Sequence, residues 1–314
     1  MKKLFEVRIP IGPTEPFIRR IHLIAASLRH LGPTMANHEI VVSVGEDVEP
    51  YNLYERYPWS QIYPITWRWV NREAYRQRSY WETYLDVFRQ HPRADYVVRL
   101  DADALVIRDF AALFQQLEQR PAVAGMISWL PPFSKHPESP EEMWRKMFDG
   151  YGVPRAPLVH EHTAWELLTH DPKDRYGPPY FNYGFLAAPY SLFDKLCVEV
   201  EPADRFTSAN MRGNKRTQIA VALALQKHGL DSLILPVRYN FPNWDIFDAK
   251  YPEELENVHV IHYPRRDIVD RDRDFQNLGA LAALIDRKDL TGSNEILRQR
   301  LEELYPAIEE EERL

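Results

Sequence analysis

The chain has 314 residues, 45% of them hydrophobic and 27% charged, enough for one large globular domain or two small ones. Its net charge of −7 argues against nucleic acid as a partner, because phosphate binding needs a basic face. One cysteine, Cys197, rules out an intrachain disulfide and fits a reducing cytoplasm. The N-terminal stretch lacks the apolar core of a signal peptide, and no apolar run approaches ~20 residues, so no transmembrane anchor is expected.

In chain order, LFEVRI (4–9) reads as a strand, and residues 16–30 follow with a helical face of Phe17, Ile21, Leu23, Ile24 and Leu28. EIVVSV (39–44) and ITWRWV (65–70) are further strands, 79–90 is helical in pattern, and YVVRL (96–100) is apolar enough for burial on both faces. Alternating strands and helices imply parallel crossovers and an α/β sheet. A short helix over 109–119 and a strand over 122–128 complete the first part.

Residues 129–179 then change character. Rich in Pro, His and Gly, with one helix near 140–149, they read as an irregular excursion over the sheet, a lid or acceptor loop. The ordered pattern resumes with PYFNYGFLAAP, a helix near 189–199 and TQIAVALALQKHGL (217–230). Strands at 233–237 and 258–263 and C-terminal helices near 275–287 and 293–304 follow, within one domain over 1–314.

The chemistry concentrates at strand ends. RLDADALVIRD (99–109) places Asp101 and Asp103 where a buried strand stops. Two readings compete: a turn or helix cap, and a divalent-cation site. If the backbone stays extended, both carboxylates point the same way and Ala102 faces away. Oxygen ligands of this kind suit Mg²⁺ or Mn²⁺.

His262 ends the apolar run VHVIHY and is followed by Arg265 and Arg266, whose guanidinium forks suit phosphate oxygens. His259 falls off that face by its odd spacing and reads as structural. In YFNYG, Asn182 offers a donor and an acceptor to a polyhydroxylated ligand, and Gly184 allows a close backbone approach, or marks a bulge. Gln218 opens a helix after MRGNKRTQ, with Arg212, Lys215 and Arg216 nearby for an anionic substrate. HEHTAWELLTH (160–170) lacks the spacing of a helical zinc site, and DIVDRDRD (267–274) reads as a solvated face.

The order RLDADALVIRDFAALF, PYFNYGFLA, TQ, LPVRYN and VIHYPRR, spanning residues 4 to 266, resembles the retaining glycosyltransferases of family 8. That resemblance implies the GT-A (nucleotide-diphospho-sugar transferase) fold, an α/β architecture with a mixed, mainly parallel central sheet flanked by helices. It implies Mn²⁺ (or Mg²⁺) held by Asp101, Asp103 and His262 on a nucleotide-diphospho-sugar donor. It places Arg99, Ala102, Gly184, Arg265 and Arg266 in the donor and phosphate site, and Asn182 and Gln218 at the reacting sugar.

The acceptor would be a sugar, a lipid-linked group or a protein. Asn240, in LPVRYN, matches a mainly structural segment. Thr217 stands where the family has an aspartate, and for the nucleobase Glu46 or Asp47 replaces an acidic residue after the first strand. Trp129, Phe133, Trp144 and Trp165 are candidate sugar platforms. The alternatives are a nucleotide-sugar-binding homologue without catalysis and a haloacid-dehalogenase-type phosphatase.

Overall fold

A computed structural model of the chain describes residues 4–134, 136–211 and 215–313. Arg212 lies outside the described residues. The strands are β1 (Phe5–Ile11), β2 (His38–Val44), β3 (Ile65–Trp69), β4 (Tyr96–Leu100), β5 (Ala104–Val106), β6 (Val123–Ile127), β7 (His160–Glu161), β8 (Tyr176–Gly177), β9 (Phe181–Pro189), β10 (Ser232–Ile234), β11 (Phe241–Pro242) and β12 (Val260–His262).

Seven of them form the central sheet, in the order β10-β6-β9-β4-β1-β2-β3. β1 pairs in parallel with β2 and β4, β2 with β3, and β6 with β10. β9 alone runs against its neighbours β4 and β6. The expected mixed, mainly parallel sheet is therefore present. All seven residues of β1 are buried, as a strand covered by helices on both faces requires.

Each face has its own apolar cluster. Helix Glu15–His30 and the C-terminal helix Gly292–Glu311 close one, through residues such as Ile21, Leu28, Leu297 and Leu304. Helices Pro140–Tyr151, Tyr190–Asn210 and Arg216–Lys227 close the other, through Trp144, Leu196 and Leu223. The excursion thus contributes to the core: its helix, opened by a Ser139–Glu142 capping box, buries Met143, Trp144, Met147 and Phe148. Beyond it, β7 and β8 form a small antiparallel pair.

The differences from the sequence reading have local causes. Of the helix expected over 79–90 only Trp81–Asp86 forms, and a separate helix, Arg72–Arg78, precedes it, the chain turning between the two at Ser79, with φ 57° and ψ −147°. The helix from 190 runs to Asn210 through Pro202, held by buried Val200, Ala203 and Thr207. The strand expected over 233–237 stops at Ile234, ahead of Pro236 and a single 3₁₀ turn, Val237–Tyr239. β12 joins a separate three-stranded sheet, β11-β12-β5, rather than the central one. That small sheet positions the site.

Candidate functional site

Asp101 and Asp103 follow β4 at the carboxyl edge of the parallel strands, where ligands collect in α/β sheets. The backbone there is a turn, not an extended strand: Ala104 N–H donates to the Asp101 carbonyl at 3.1 Å. A turn and a cation site are therefore not alternatives, since the turn is what points both carboxylates one way. Directly after it, β5 pairs antiparallel with β12, placing Ala104 opposite His262. Tyr263 N–H donates to the Asp103 carbonyl at 2.8 Å and locks that register. Two segments about 160 positions apart are thus stitched so that an imidazole meets two carboxylates.

His262 Nε2 lies 3.4 Å from Asp103 Oδ1 and 3.8 Å from Asp101 Oδ2. One ligand atom from each of the three residues falls within 4.8 Å of the others, the only such His/Cys/Asp/Glu group among the described residues. The outer oxygens are held by arginines. Arg99 Nη2 is 2.7 Å from Asp101 Oδ1, and Arg271 pairs with Asp103 Oδ2. Arg99, 0% exposed, also donates to the Tyr183 carbonyl and lies over the Tyr183 and Tyr84 rings at 4.4 and 5.2 Å. Burial raises the Asp103 carboxyl, but His262, Arg271 and Arg20 outweigh it and hold the group well below the usual carboxylate range.

The imidazole is oriented from behind. Its Nδ1 lies 3.1 Å from Asn240 Oδ1, an oxygen that can only accept, so Nδ1 carries the N–H of that bond and Nε2 is the nitrogen turned to the carboxylates. Asn240 Nδ2 in turn donates to Asn182 Oδ1 at 2.9 Å, which also accepts from Gly184 N–H at 2.9 Å. A Cβ on Gly184 would collide with Asn240 Oδ1 and His262 Nδ1. Glycine is required in YFNYG for this close approach.

A cavity of about 560 Å³ opens over the three residues. Asp101, Ala102, Asp103, Asn182, Lys215, Thr217, Gln218, His262 and Arg271 line one part of it. Gly12, Gly45, Glu46 and Tyr75 line the part beyond β1 and β2, and Tyr80, Trp81, Tyr84 and Trp129 supply aromatic walls. Gln218 Oε1 accepts from the Tyr180 hydroxyl at 2.7 Å. The Thr217 hydroxyl turns to buried Asp204 at 3.1 Å. Burial lowers the Lys215 ammonium, and the charge of Asp101 opposes that shift.

Several expected residues stand apart from this cavity. Arg99 and Gly184 do not line it. Arg265 pairs with Asp267 and lies 5.6 Å over the Trp244 ring, while Arg266 is 3.0 Å from Asp272. Neither Arg265 nor Arg266 lines the cavity, and Arg271, from the stretch read as a solvated face, does. Asp47 is engaged outside by Arg72 and Arg76, leaving Glu46 as the acidic residue on the wall. Of the four aromatic platforms, Trp129 reaches the cavity and Trp144 is fully buried in the core. Phe133 lines a second cavity of about 650 Å³, with His136, Asn210 and Met211, that includes none of Asp101, Asp103 and His262. Trp165 lies under Arg175 at 4.2 Å. His162 is a buried neutral imidazole, its ring lowered to about 4 by burial, and His259 stacks on Tyr239, as its spacing suggested.

No protein-family model and no curated protein sequence matches this chain. Solved structures do. One is the galactosyltransferase LgtC in complex with donor and acceptor sugar analogues, at 15% identity and TM-score 0.53, covering 96% of this chain and 95% of that one. An active-site mutant of LgtC gives 14% identity and TM-score 0.55 over the same shares, 96% and 95%. The apo form of the glycosyltransferase GlyE of Streptococcus pneumoniae gives 14% and 0.53, covering 98% of this chain and 62% of that one. At these identities the likeness establishes architecture: the chain has the GT-A fold.

Proposed function

We propose that this chain is a metal-dependent glycosyltransferase that moves a sugar from a nucleotide-diphospho-sugar to an acceptor with retention of configuration. The observation that carries the reading is the Asp101–Asp103–His262 cluster, oriented from behind and opening onto a cavity that also holds Gln218. Two carboxylate oxygens and an imidazole nitrogen, each with its other polar atom already engaged, form a donor set that fits Mn²⁺ or Mg²⁺. A cation bound there supplies charge stabilisation for a diphosphate leaving group.

The remaining roles fall to the chain's own side chains. Asn182 and Gln218 face the sugar, Gln218 with its carbonyl oxygen fixed by the Tyr180 hydroxyl. Lys215 and Arg271 bring positive charge to the phosphates, with Arg271 in the place first expected of Arg265 and Arg266. Trp129, Tyr80 and Trp81 exclude water and offer faces for a sugar acceptor, which can be free, lipid-linked or carried on a protein. Glu46 and Tyr75 meet the nucleobase.

The test is a thermal-shift screen of nucleotide-sugars with and without Mn²⁺, because a ligand specific to the folded state raises the melting temperature. A shift that requires Mn²⁺ and vanishes in Asp101→Ala and Asp103→Ala is expected. An equal shift in both variants would show that the cluster holds no catalytic ion. One feature favours a second reading, a nucleotide-sugar-binding homologue without turnover. Thr217 offers a hydroxyl already committed to Asp204 where a carboxylate would face the sugar. Release of sugar from a bound donor would dismiss it.

A further inference from the structure

The charges around the ligand cluster do not balance. Among the described residues, Arg99, Arg271, Arg20 and Lys215 stand near Asp101 and Asp103, so cations already outnumber carboxylates before any metal arrives. Arg20 is 1% exposed and within electrostatic reach of Asp103 and Arg271. Its Nε donates to the Pro16 carbonyl at 3.0 Å, yet both terminal nitrogens are buried without a hydrogen-bond partner. Phe17, whose ring the Arg20 guanidinium covers at 4.3 Å, lines the cavity. Nearby Asp272 is engaged by Arg266, and Glu46 stands two strands away. A divalent ion added to this cluster deepens the positive excess, and only a polyanion corrects it.

Resting on the glycosyltransferase reading, we infer that the site is built to refuse a bare divalent cation and to accept it only together with a diphosphate, and that Arg271 sets this coupling. Its guanidinium pairs with Asp103 on the oxygen turned away from His262, so it repels an incoming ion without blocking it. It also lines the cavity and is partly exposed, so it can meet phosphate oxygens that arrive with the ion. One side chain then opposes the first ligand alone and favours the two together, which is positive linkage between them.

The experiment is calorimetric titration of wild type, Arg271→Gln and Arg271→Lys. The probes are Mn²⁺ alone and, at fixed Mn²⁺, uridine, guanosine, adenosine and cytidine diphosphates, with the tightest taken forward. Arg271→Gln is expected to tighten bare Mn²⁺ and to weaken the diphosphate, each on the order of tenfold, with Arg271→Lys near wild type in both. Melting temperatures of the variants establish that they are folded. If Arg271→Gln weakens both ligands together, Arg271 merely holds the Asp103 carboxylate and the inference is overturned. Unchanged affinities overturn it equally. If no diphosphate binds wild type with Mn²⁺, the nucleotide-sugar reading itself fails, a separate result.

Discussion

The orientation of His262 can be tested at a residue that touches no ligand. Asn240 is buried between His262 and Asn182, accepting from one at 3.1 Å and donating to the other at 2.9 Å. Asn240→Leu keeps the volume and removes both bonds. Two buried groups lose a partner at about 1–3 kcal/mol each, and Asn182 keeps its bond from Gly184, so a loss of roughly 2–4 kcal/mol in stability is expected. The larger consequence is for the ion. Removing the partner that orients a metal-bound imidazole typically costs about 10- to 100-fold in affinity, or about 1.4–2.7 kcal/mol. Mn²⁺ titration by calorimetry, in the presence of the nucleoside diphosphate that binds best, measures this directly. Asn240→Asp is the comparator: it still accepts from Nδ1 but cannot donate to Asn182, so it should lose stability and retain most of the metal affinity. A folded Asn240→Leu protein that binds Mn²⁺ as tightly as wild type would refute the role assigned to the Asn240–His262 bond.

Two further outcomes follow from other contacts. Gln218→Ala should lower the transfer rate by about 100-fold with little change in donor affinity, since a polar group aimed at developing charge acts mainly in the transition state. Steady-state kinetics beside equilibrium binding decides it, and equal losses in both would relegate Gln218 to binding. Away from the site, hydrogen bonds from Arg89 and Arg78 outweigh burial and hold the Glu201 carboxyl at about 2, against 4.5 in an unfolded chain. A depressed folded value means stabilisation that is complete above 4.5 and drains away as pH falls towards 2. Glu201→Gln should therefore flatten the fall in melting temperature across that window, and parallel curves for the two proteins would contradict the assignment.

What could be read from sequence follows the range of the interactions involved. The strands 39–44, 65–70 and 96–100 announce themselves through local apolar runs, and the Asp101–Asp103 pair is visible because its neighbours in sequence are also its neighbours in the sheet edge. His262 was legible as the end of another apolar run, although the register that delivers it belongs to the β5–β12 pair and has no local signal. Arg271 was hidden for a different reason. Alternating Asp and Arg over 267–274 looks like surface, and part of it is: Asp267, Asp272 and Arg273 are exposed, the first two occupied by Arg265 and Arg266, while Asp274 is buried and Arg271 reaches Asp103. Gly184 was singled out, but what it makes room for lies 56 and 78 positions downstream, at Asn240 and His262. The Tyr80–Trp81–Tyr84 wall lay inside the helical pattern read over 79–90, which carries no signal of which rings face the cavity.

If the cluster holds an ion as proposed, the two arginines behind the aspartates bear on how the protein would handle its loss. In small domains folded around a metal, ligands repel one another until the ion arrives, and a chelator unfolds the chain. Here Arg99 and Arg271 neutralise that repulsion from within the fold, and the turn, the β5–β12 register and Asn240 hold the three ligands without help. On that reading the three side chains are placed during folding, not at the moment of binding. A chelator should therefore act as a reversible off-switch on a chain that stays folded, and ion exchange should be limited by shedding of water from the metal rather than by rearrangement of the protein.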